Sequence, residues 1–252
     1  MFFDDRWPVL YTDNHLLALY KPAGLLVQGD RTGDVSLLEL GKQWLKVRYA
    51  KPGQVFLAMV HRLDRPVAGV VLFARTSKAA ARLSAQFRER RVEKRYLAVV
   101  AGRLGGESGR LVDHIERRDR RSRVVPAPTP QSQAARLRYT VLARDDRRTL
   151  LQVDLETGRR HQIRIQLAHA GHPLLGDLRY GAGEPLPGRQ IALLAHVLCV
   201  DHPTRDERLV FTCPIPCGWP WPDAALCEAD RPPWDWRAFA DALRVAGIAM
   251  PD

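Results

Sequence analysis

Eight consecutive apolar residues, Val67 to Ala74, form the longest apolar run in the chain. The run is continuous and contains β-branched side chains, which predicts a strand buried in the core. It is far shorter than the roughly 18 residues that a membrane-spanning helix needs. The sequence therefore predicts a core built around a sheet, and no membrane partner.

Strand-like and helix-like segments alternate on both sides of this run. Further strands are predicted at Leu16–Tyr20 and Arg95–Ala101, and a hairpin is predicted from Arg136–Ala143 and Thr149–Glu156 around a polar turn. Helices are predicted from a Ser36–Glu39 capping box to about Arg48, and from Ser77. The rest is predicted to be a loop over 102–133, a Pro- and Trp-rich tail, and a helix from Asp235. Together these segments predict an α+β fold on a mixed, largely antiparallel sheet flanked by helices and loops.

The charge of the chain favours a polyanionic partner. Lys and Arg number 39 against 28 Asp and Glu, a formal net charge of +11. Such a balance indicates nucleic acid or an anionic membrane surface. Most of the basic residues are Arg, a bias that a GC-rich genome also produces, so composition supports a nucleic-acid partner without establishing one.

The N-terminus and the cysteines indicate a cytoplasmic protein. Asp4 and Asp5 stand where a signal peptide needs basic residues. All four cysteines lie in the last quarter, at Cys199, Cys213, Cys217 and Cys227. The last three suggest a partial metal site, but C-P-I-P-C is not a zinc-knuckle spacing, so we expect cytosolic thiols and no metal.

A charged segment, His61 to Gly69, runs into the apolar strand. Asp64 lies between Arg62 and Arg65, whose charges favour its ionised form. Such a carboxylate can act as a nucleophile or a general base. Alternatively, Asp64 is a turn residue that pairs with a neighbouring arginine before Pro66.

Later segments carry further polar groups. Tyr96 opens a strand, where it is either a core aromatic or a face for stacking on a base. Thr157 to Leu167 and Gly171 to Asp177 supply Arg, His and Gln donors suited to carboxylates and phosphates. The basic stretch from Glu116 to Arg123 is either a solvated loop or an arm that contacts phosphates.

Taken in order, these segments resemble the motifs of the RluA-type family of RNA pseudouridine synthases. The family pattern is H-R-L-D-R-x-T-S-G, K-x-Y, T-G-R-x-H-Q-I-R-x-H-L, G-H-P-x-x-G-D and Y-G. The matching segments are His61–Gly69, Lys94–Tyr96, Thr157–Leu167, Gly171–Asp177 and Tyr180–Gly181, with K-P-A-G-L at 21–25 and L-L-A-H at 193–196. The resemblance spans about residues 8 to 220, with departures at Val67, Ala68, Arg160 and Gln166.

The resemblance implies an isomerase that breaks the N1–C1′ bond of a uridine and rejoins the turned base through C5. Asp64 is then the catalytic aspartate, Arg164 the ion-pair partner that orients it, and Tyr96 the residue that stacks on the uracil. The uridine must leave its stack, so base flipping is expected, with Arg62 filling the vacated space. Attack at C1′, addition to the base and proton removal all remain open for Asp64. The family requires no cofactor or metal.

The resemblance also implies RNA contacts by residues near Asp64, Tyr96 and Arg164. They are His61, Arg62, Arg65, Lys94, Arg159, His161 and Gln162. We expect one catalytic domain over residues 1–252, without an S4-type RNA-binding domain, that acts on tRNA or rRNA as a monomer. The alternative is a non-catalytic RNA-binding or RNA-folding protein on the same fold, against which the intact catalytic residues argue.

Overall fold

The computed structural model describes residues 9–118, 121–216 and 218–221. These residues divide into two units: the first holds 9–93 and 195–216, and the second holds 94–118, 121–194 and 218–221. The single domain expected over 1–252 stays a prediction. The segment from 222 onward, including the helix predicted from Asp235, lies outside the described residues, as do Cys217 and Cys227.

The described residues form eleven strands and three α-helices. The strands are β1 (Val9–Thr12), β2 (Leu16–Lys21), β3 (Ala58–Met59), β4 (Ala68–Ala74), β5 (Glu93–Ala101), β6 (Ser108–Arg118), β7 (Arg121–Val125), β8 (Ser132–Arg144), β9 (Arg148–Leu155), β10 (Leu193–Asp201) and β11 (Arg208–Thr212). The α-helices are α1 (Leu37–Arg48), α2 (Ser77–Arg88) and α3 (Gln162–His169). This content confirms the predicted α+β class.

The predicted apolar strand is β4, and all of its residues are buried. It pairs antiparallel with β2, which is buried along its whole length, and with the short β3. β10 lies beside β4 and pairs antiparallel with β11. At Gly69 an added Cβ would lie 2.4 Å from the Ala195 carbonyl oxygen, so only glycine permits this close approach.

The two helices of the first unit begin where their sequences predict. Ser36 and Glu39 form a reciprocal capping box at the start of α1: the Ser36 hydroxyl accepts from the Glu39 N–H, and the Glu39 carboxylate accepts from the Ser36 N–H at 3.0 Å. Thr76 caps α2 by accepting from the Ala79 N–H at 3.2 Å. Both helices place leucines in the core.

The second unit is an antiparallel sheet in the order β5-β9-β8-β6-β7. The predicted hairpin is confirmed as β8 and β9. Asp145 holds its turn by accepting from the backbone N–H groups of Arg147 and Arg148, each at 2.9 Å.

The loop predicted over 102–133 is wrong in its central part, because β6, β7 and the beginning of β8 occupy it. The exposed positions of β6 carry Ser108, Arg110, Val112, Arg117 and Arg118, and Ile115 is the one buried residue of this strand. A strand with so few apolar residues lacks the alternation that sequence analysis detects.

Helix α3 follows β9 after a turn at Thr157 and packs on one face of this sheet. Ile165 of α3 forms an apolar cluster with Ile115 of β6 and Ala135 of β8, against which Tyr180 also packs. Six consecutive residues of α3, from Gln162 to Leu167, are buried. The sheet thus supports the segment that carries Arg164.

Candidate active site

Asp64 lies in the first unit, in a turn that enters β4. Its carbonyl oxygen accepts from the Val67 N–H at 3.0 Å, and its side chain is half-buried. Arg65 ties this turn to the Lys21–Gly24 segment: its Nε donates to the Gly24 carbonyl at 2.8 Å, and the Gly24 N–H donates back to the Arg65 carbonyl at 2.8 Å. Arg65 also forms an ion pair with Asp34 at 2.8 Å. These contacts fix the backbone on both sides of Asp64.

Lys21 is fully buried beneath the same turn. Its ammonium donates to the carbonyl oxygens of Pro22 and Leu25, each at 2.8 Å, and of Arg65 at 3.1 Å. Burial lowers the pKa of Lys21 to about 7, the negative charge of Asp64 opposes this shift, and Arg65 adds to it. The sequence presented Lys21 only as part of the K-P-A-G-L motif, and the clue to its burial was its position at the end of an otherwise apolar strand.

His61 packs against neighbouring elements, whereas Arg62 is exposed. The Nε2 atom of His61 accepts from the Leu72 N–H at 2.9 Å, and its ring stacks on Phe87 with centroids 5.0 Å apart. His61 therefore holds the segment against β4 and α2. Arg62 is exposed, as a residue predicted to enter RNA requires.

Tyr96 and Lys94 lie in the second unit, at the beginning of β5. Tyr96 is half-buried and stands opposite Val153 of β9 in the strand register. The Nζ atom of Lys94 lies 3.1 Å from where a Cβ at Gly158 would be. The absence of a side chain at Gly158 therefore lets Lys94 approach the turn that leads into α3.

The predicted donors Arg159 and Gln162 build this turn. The Gln162 Oε1 accepts from the Thr157 hydroxyl at 2.7 Å and from the Arg159 N–H at 3.0 Å, and its Nε2 donates to the Arg136 carbonyl at 3.0 Å. Arg159 Nε donates to the Ala134 carbonyl at 3.1 Å. Gln162 is buried, so its amide positions the beginning of α3.

Arg164 forms a buried bidentate ion pair with Asp177. Its Nε and Nη2 donate to the two carboxylate oxygens at 2.7 and 2.9 Å, and the two side chains are only 7% and 2% exposed. The guanidinium also lies over the Tyr180 ring, 5.1 Å from its centroid. His161, in the left-handed backbone region at φ 57°, contacts the Tyr180 hydroxyl through Nδ1 at 2.7 Å.

The structure therefore brings Arg164 and His161 together around Tyr180. Asp64 belongs to the first unit and Arg164 to the second, so the predicted ion pair between them stays a prediction. Sequence reasoning quoted Asp177 and Tyr180 as motif residues but gave neither a role. The sequence offered one clue, the aspartate at the end of G-H-P-x-x-G-D. Its partner Arg164 lies 13 residues earlier, so no local pattern links the two residues.

The residues that the structure describes hold no group of three or more His, Cys, Asp and Glu side chains placed to bind a metal ion. No helix within the same residues is long and apolar enough to cross a membrane.

Comparison with known proteins gives consistent matches. The sequence profile of the family described as "RNA pseudouridylate synthase" matches residues 15–169. The RNA pseudouridine synthase YhcT of Bacillus subtilis (strain 168) is 34% identical over 218 residues, 82% of this chain and 68% of the relative. The ribosomal large subunit pseudouridine synthase D of Nitrosomonas europaea is 36% identical over 237 residues, 88% of this chain and 65% of the relative. The chain thus spans about two thirds of the length of these relatives.

Solved structures show the same fold. Human RNA Pseudouridylate Synthase Domain Containing 4 aligns with a TM-score of 0.70 at 22% identity, covering 97% of this chain and 94% of its own. Human RNA Pseudouridylate Synthase Domain Containing 1 aligns with a TM-score of 0.68 at 23% identity, covering 98% and 96%. At these identities the likeness concerns the fold alone.

Proposed function

Because this chain belongs to the RluA-type family of RNA pseudouridine synthases, we propose that it isomerises specific uridines of a structured tRNA or rRNA to pseudouridine. One observation carries the proposal: the family match over 15–169 includes Asp64, Tyr96 and Arg164 together. Several relatives are named ribosomal large subunit pseudouridine synthases, which favours rRNA as the substrate class.

The reaction needs no net gain or loss of atoms. The N1–C1′ bond of the uridine breaks, a C5–C1′ bond forms, and the proton on C5 is replaced by one on N1, so the product is an isomer. Asp64 supplies the carboxylate that the sugar or the base requires during this exchange. Tyr96 offers its ring to the uracil, and Arg164 supplies positive charge that orients Asp64.

Geometry supports the role of Arg164. Its guanidinium is held by both oxygens of Asp177 and by the Tyr180 ring, so its position is fixed before substrate arrives. A fixed charge costs little reorganisation when the reacting groups come together. The turn at Asp64 is held in the same way, by Arg65 and Lys21.

Base flipping completes the proposal. A uridine inside a stack cannot reach a half-buried carboxylate, so it must leave the helix. Arg62, which is exposed, fills the vacated space in this account. Contacts with the phosphates fall to Arg65, Lys94, Arg159 and His161, whereas the hydrogen bonds of His61 and Gln162 favour a supporting role in shaping those contacts.

We further infer that the protein acts in the cytoplasm as a monomer, on RNA and without a cofactor. The family supports RNA as its partner, and the composition carries the positive charge that such a partner needs.

Release of tritium from RNA labelled with [5-³H]uridine tests the proposed activity. We expect release by the wild-type chain, because the proton on C5 leaves during the reaction. Asp64→Asn should reduce release to background while RNA retention on filters changes less than about threefold. Release by Asp64→Asn near the wild-type rate would refute the catalytic assignment. RNA binding without release by the wild-type chain would instead favour the non-catalytic alternative.

A further inference from the structure

The 176–182 turn of the second unit carries an exposed apolar side chain next to the candidate active site. Leu178 is 56% exposed, and Arg179 beside it is also exposed. Both lie in a short 3-10 helix between Asp177 and Tyr180, the two residues that contact Arg164. The two outer residues of this turn thus contact Arg164, and the two between them face solvent.

Hydrogen bonds fix the backbone of this turn. The Asp177 carbonyl accepts from the Tyr180 N–H at 3.0 Å and from the Ala182 N–H at 3.1 Å. Gly176 has a φ of +79°, and a Cβ there would lie 2.6 Å from the Gln190 carbonyl oxygen. Gly181, at φ +101°, ends the 3-10 helix. With both ends of the turn held, Leu178 cannot move into the core without breaking these contacts.

Side-chain contacts fix the turn a second time. The carboxylate of Asp177 is held by both donors of Arg164, and the Tyr180 hydroxyl is held by His161 at 2.7 Å. The Arg179 guanidinium lies 5.8 Å from the centroid of the Tyr180 ring, whose other guanidinium neighbour is Arg164. Arg179 thus extends the positive charge of the site toward solvent.

A rigid turn that presents one apolar and one cationic side chain matches the chemistry of RNA beside a flipped nucleotide. Removing a base from its stack exposes the apolar faces of its neighbours. Arg62 fills the gap itself in the proposed function, and the bases that border the gap still offer surfaces on which an apolar side chain packs. A neighbouring guanidinium suits the phosphate of the same nucleotide. Exposed leucines are common on protein surfaces, but this one is held in place by the residues that hold Arg164.

We propose that Leu178 and Arg179 form an RNA-reading turn, in which Leu178 packs against a base adjacent to the target uridine and Arg179 contacts its phosphate. The proposal rests on the proposed function and adds specificity-determining residues to it. It predicts that substitution at Leu178 impairs the use of RNA and leaves the fold intact, because more than half of this residue is exposed.

The test measures initial rates of tritium release over a range of RNA concentrations. The probe is total RNA labelled with [5-³H]uridine and isolated from cells that lack the gene. Leu178→Ser should lower kcat/KM about tenfold and Arg179→Ala about fivefold. Leu178→Met, which keeps an apolar side chain of similar length, should stay within about twofold of wild type.

Matched controls come from the same unit. Val112, on β6, is also 56% exposed, so Val112→Ser removes an equally exposed apolar side chain away from the turn. Arg138, whose side chain is 69% exposed, provides the control Arg138→Ala. Both should remain within about twofold of wild type, and all variants should unfold at the same urea concentration within error.

The outcomes separate this inference from the proposed function. If Leu178→Ser behaves like Val112→Ser while the wild-type chain releases tritium, the RNA-reading turn is wrong and the proposed function stands. If the wild-type chain releases no tritium from this RNA, the proposed function itself fails, and the turn fails with it. Loss of activity in Leu178→Met equal to that in Leu178→Ser would also contradict packing against a base.

Discussion

Lys21 carries a titratable group into the core of the first unit, where a lysine is rarely fully buried. Three carbonyl oxygens accept hydrogen bonds from its ammonium group, and one of them belongs to Arg65, next to Asp64. At the scale of single residues, this lysine links the integrity of the Asp64 turn to pH.

Stability should therefore depend on pH through Lys21. Burial lowers its pKa to about 7 from 10.5, so between these values the unfolded chain binds a proton that the folded chain has released. The contribution of Lys21 to the free energy of unfolding thus rises with pH from about 7 to 10, by up to about 1.4 kcal/mol per pH unit. Urea unfolding of the wild type and of Lys21→Met across this range measures the difference.

The control for Lys21 is a lysine exposed on α1. Lys46→Met removes an exposed charge and should change the free energy of unfolding by less than about 0.5 kcal/mol. A wild-type-minus-variant difference for Lys21→Met that does not change with pH would show that Lys21 titrates alike in the folded and unfolded chains.

The Arg164–Asp177 pair makes a second prediction at this scale. Asp177→Asn leaves the buried Arg164 without its carboxylate partner, which costs about 3 kcal/mol of unfolding free energy. Asp154→Asn removes the exposed pair with Arg95, both 44% exposed, and should cost less than about 1 kcal/mol. Urea unfolding of both variants checks the ranking, and equal costs would show that burial adds nothing to the Arg164 pair.

Single residues also show what the sequence alone supports. The motifs placed Asp64, Tyr96 and Arg164 in the matched region, because they stand at fixed positions within long ordered patterns. The ion pair between Arg164 and Asp177 was not predictable, because it depends on a turn that brings Asp177 into contact with α3. The burial of Lys21 was equally hidden, because it depends on three carbonyl groups of a folded loop.

Elements with strong local signals were predicted well, and the others were not. The capping box at Ser36 and the β8–β9 hairpin are encoded within a few residues, so both were found. Strand β6 pairs with β8, and β7 pairs with β6; both depend on this pairing more than on apolar contacts, which no local pattern reveals. For the same reason, the stretch from Glu116 to Arg123 was predicted to lie in a loop. Its described residues form the end of β6 and the beginning of β7, which pair with each other.

The approach of β4 to β10 gives a prediction at the scale of elements. Gly69→Ala places a methyl group 2.4 Å from the Ala195 carbonyl oxygen at a φ of +134°, so it should cost about 3 kcal/mol of unfolding free energy. Gly53→Ala adds a methyl group with nothing within 4 Å and should change stability by less than about 0.5 kcal/mol. Thermal and urea unfolding of the two variants compare them, and a Gly69→Ala protein as stable as Gly53→Ala would contradict the packing described.

For the whole molecule, the 39 Lys and Arg residues have more than one use. Some of them pair with carboxylates: Arg110 and Arg138 both contact Glu156, and Arg208 contacts both Glu93 and Asp201. Arg164 is used in the buried ion pair with Asp177. The remaining charge is available for RNA phosphates, so the proposed binding should weaken steeply with salt.

Pseudouridine mapping of cellular tRNA and rRNA tests the central claim most directly. RNA is compared from cells with the gene, from cells without it, and from cells without it that carry either the wild-type gene or the Asp64→Asn variant. The account predicts at least one pseudouridine that disappears on deletion, returns with the wild-type gene and does not return with Asp64→Asn. Restoration by Asp64→Asn, or an unchanged set of pseudouridines after deletion, would contradict it.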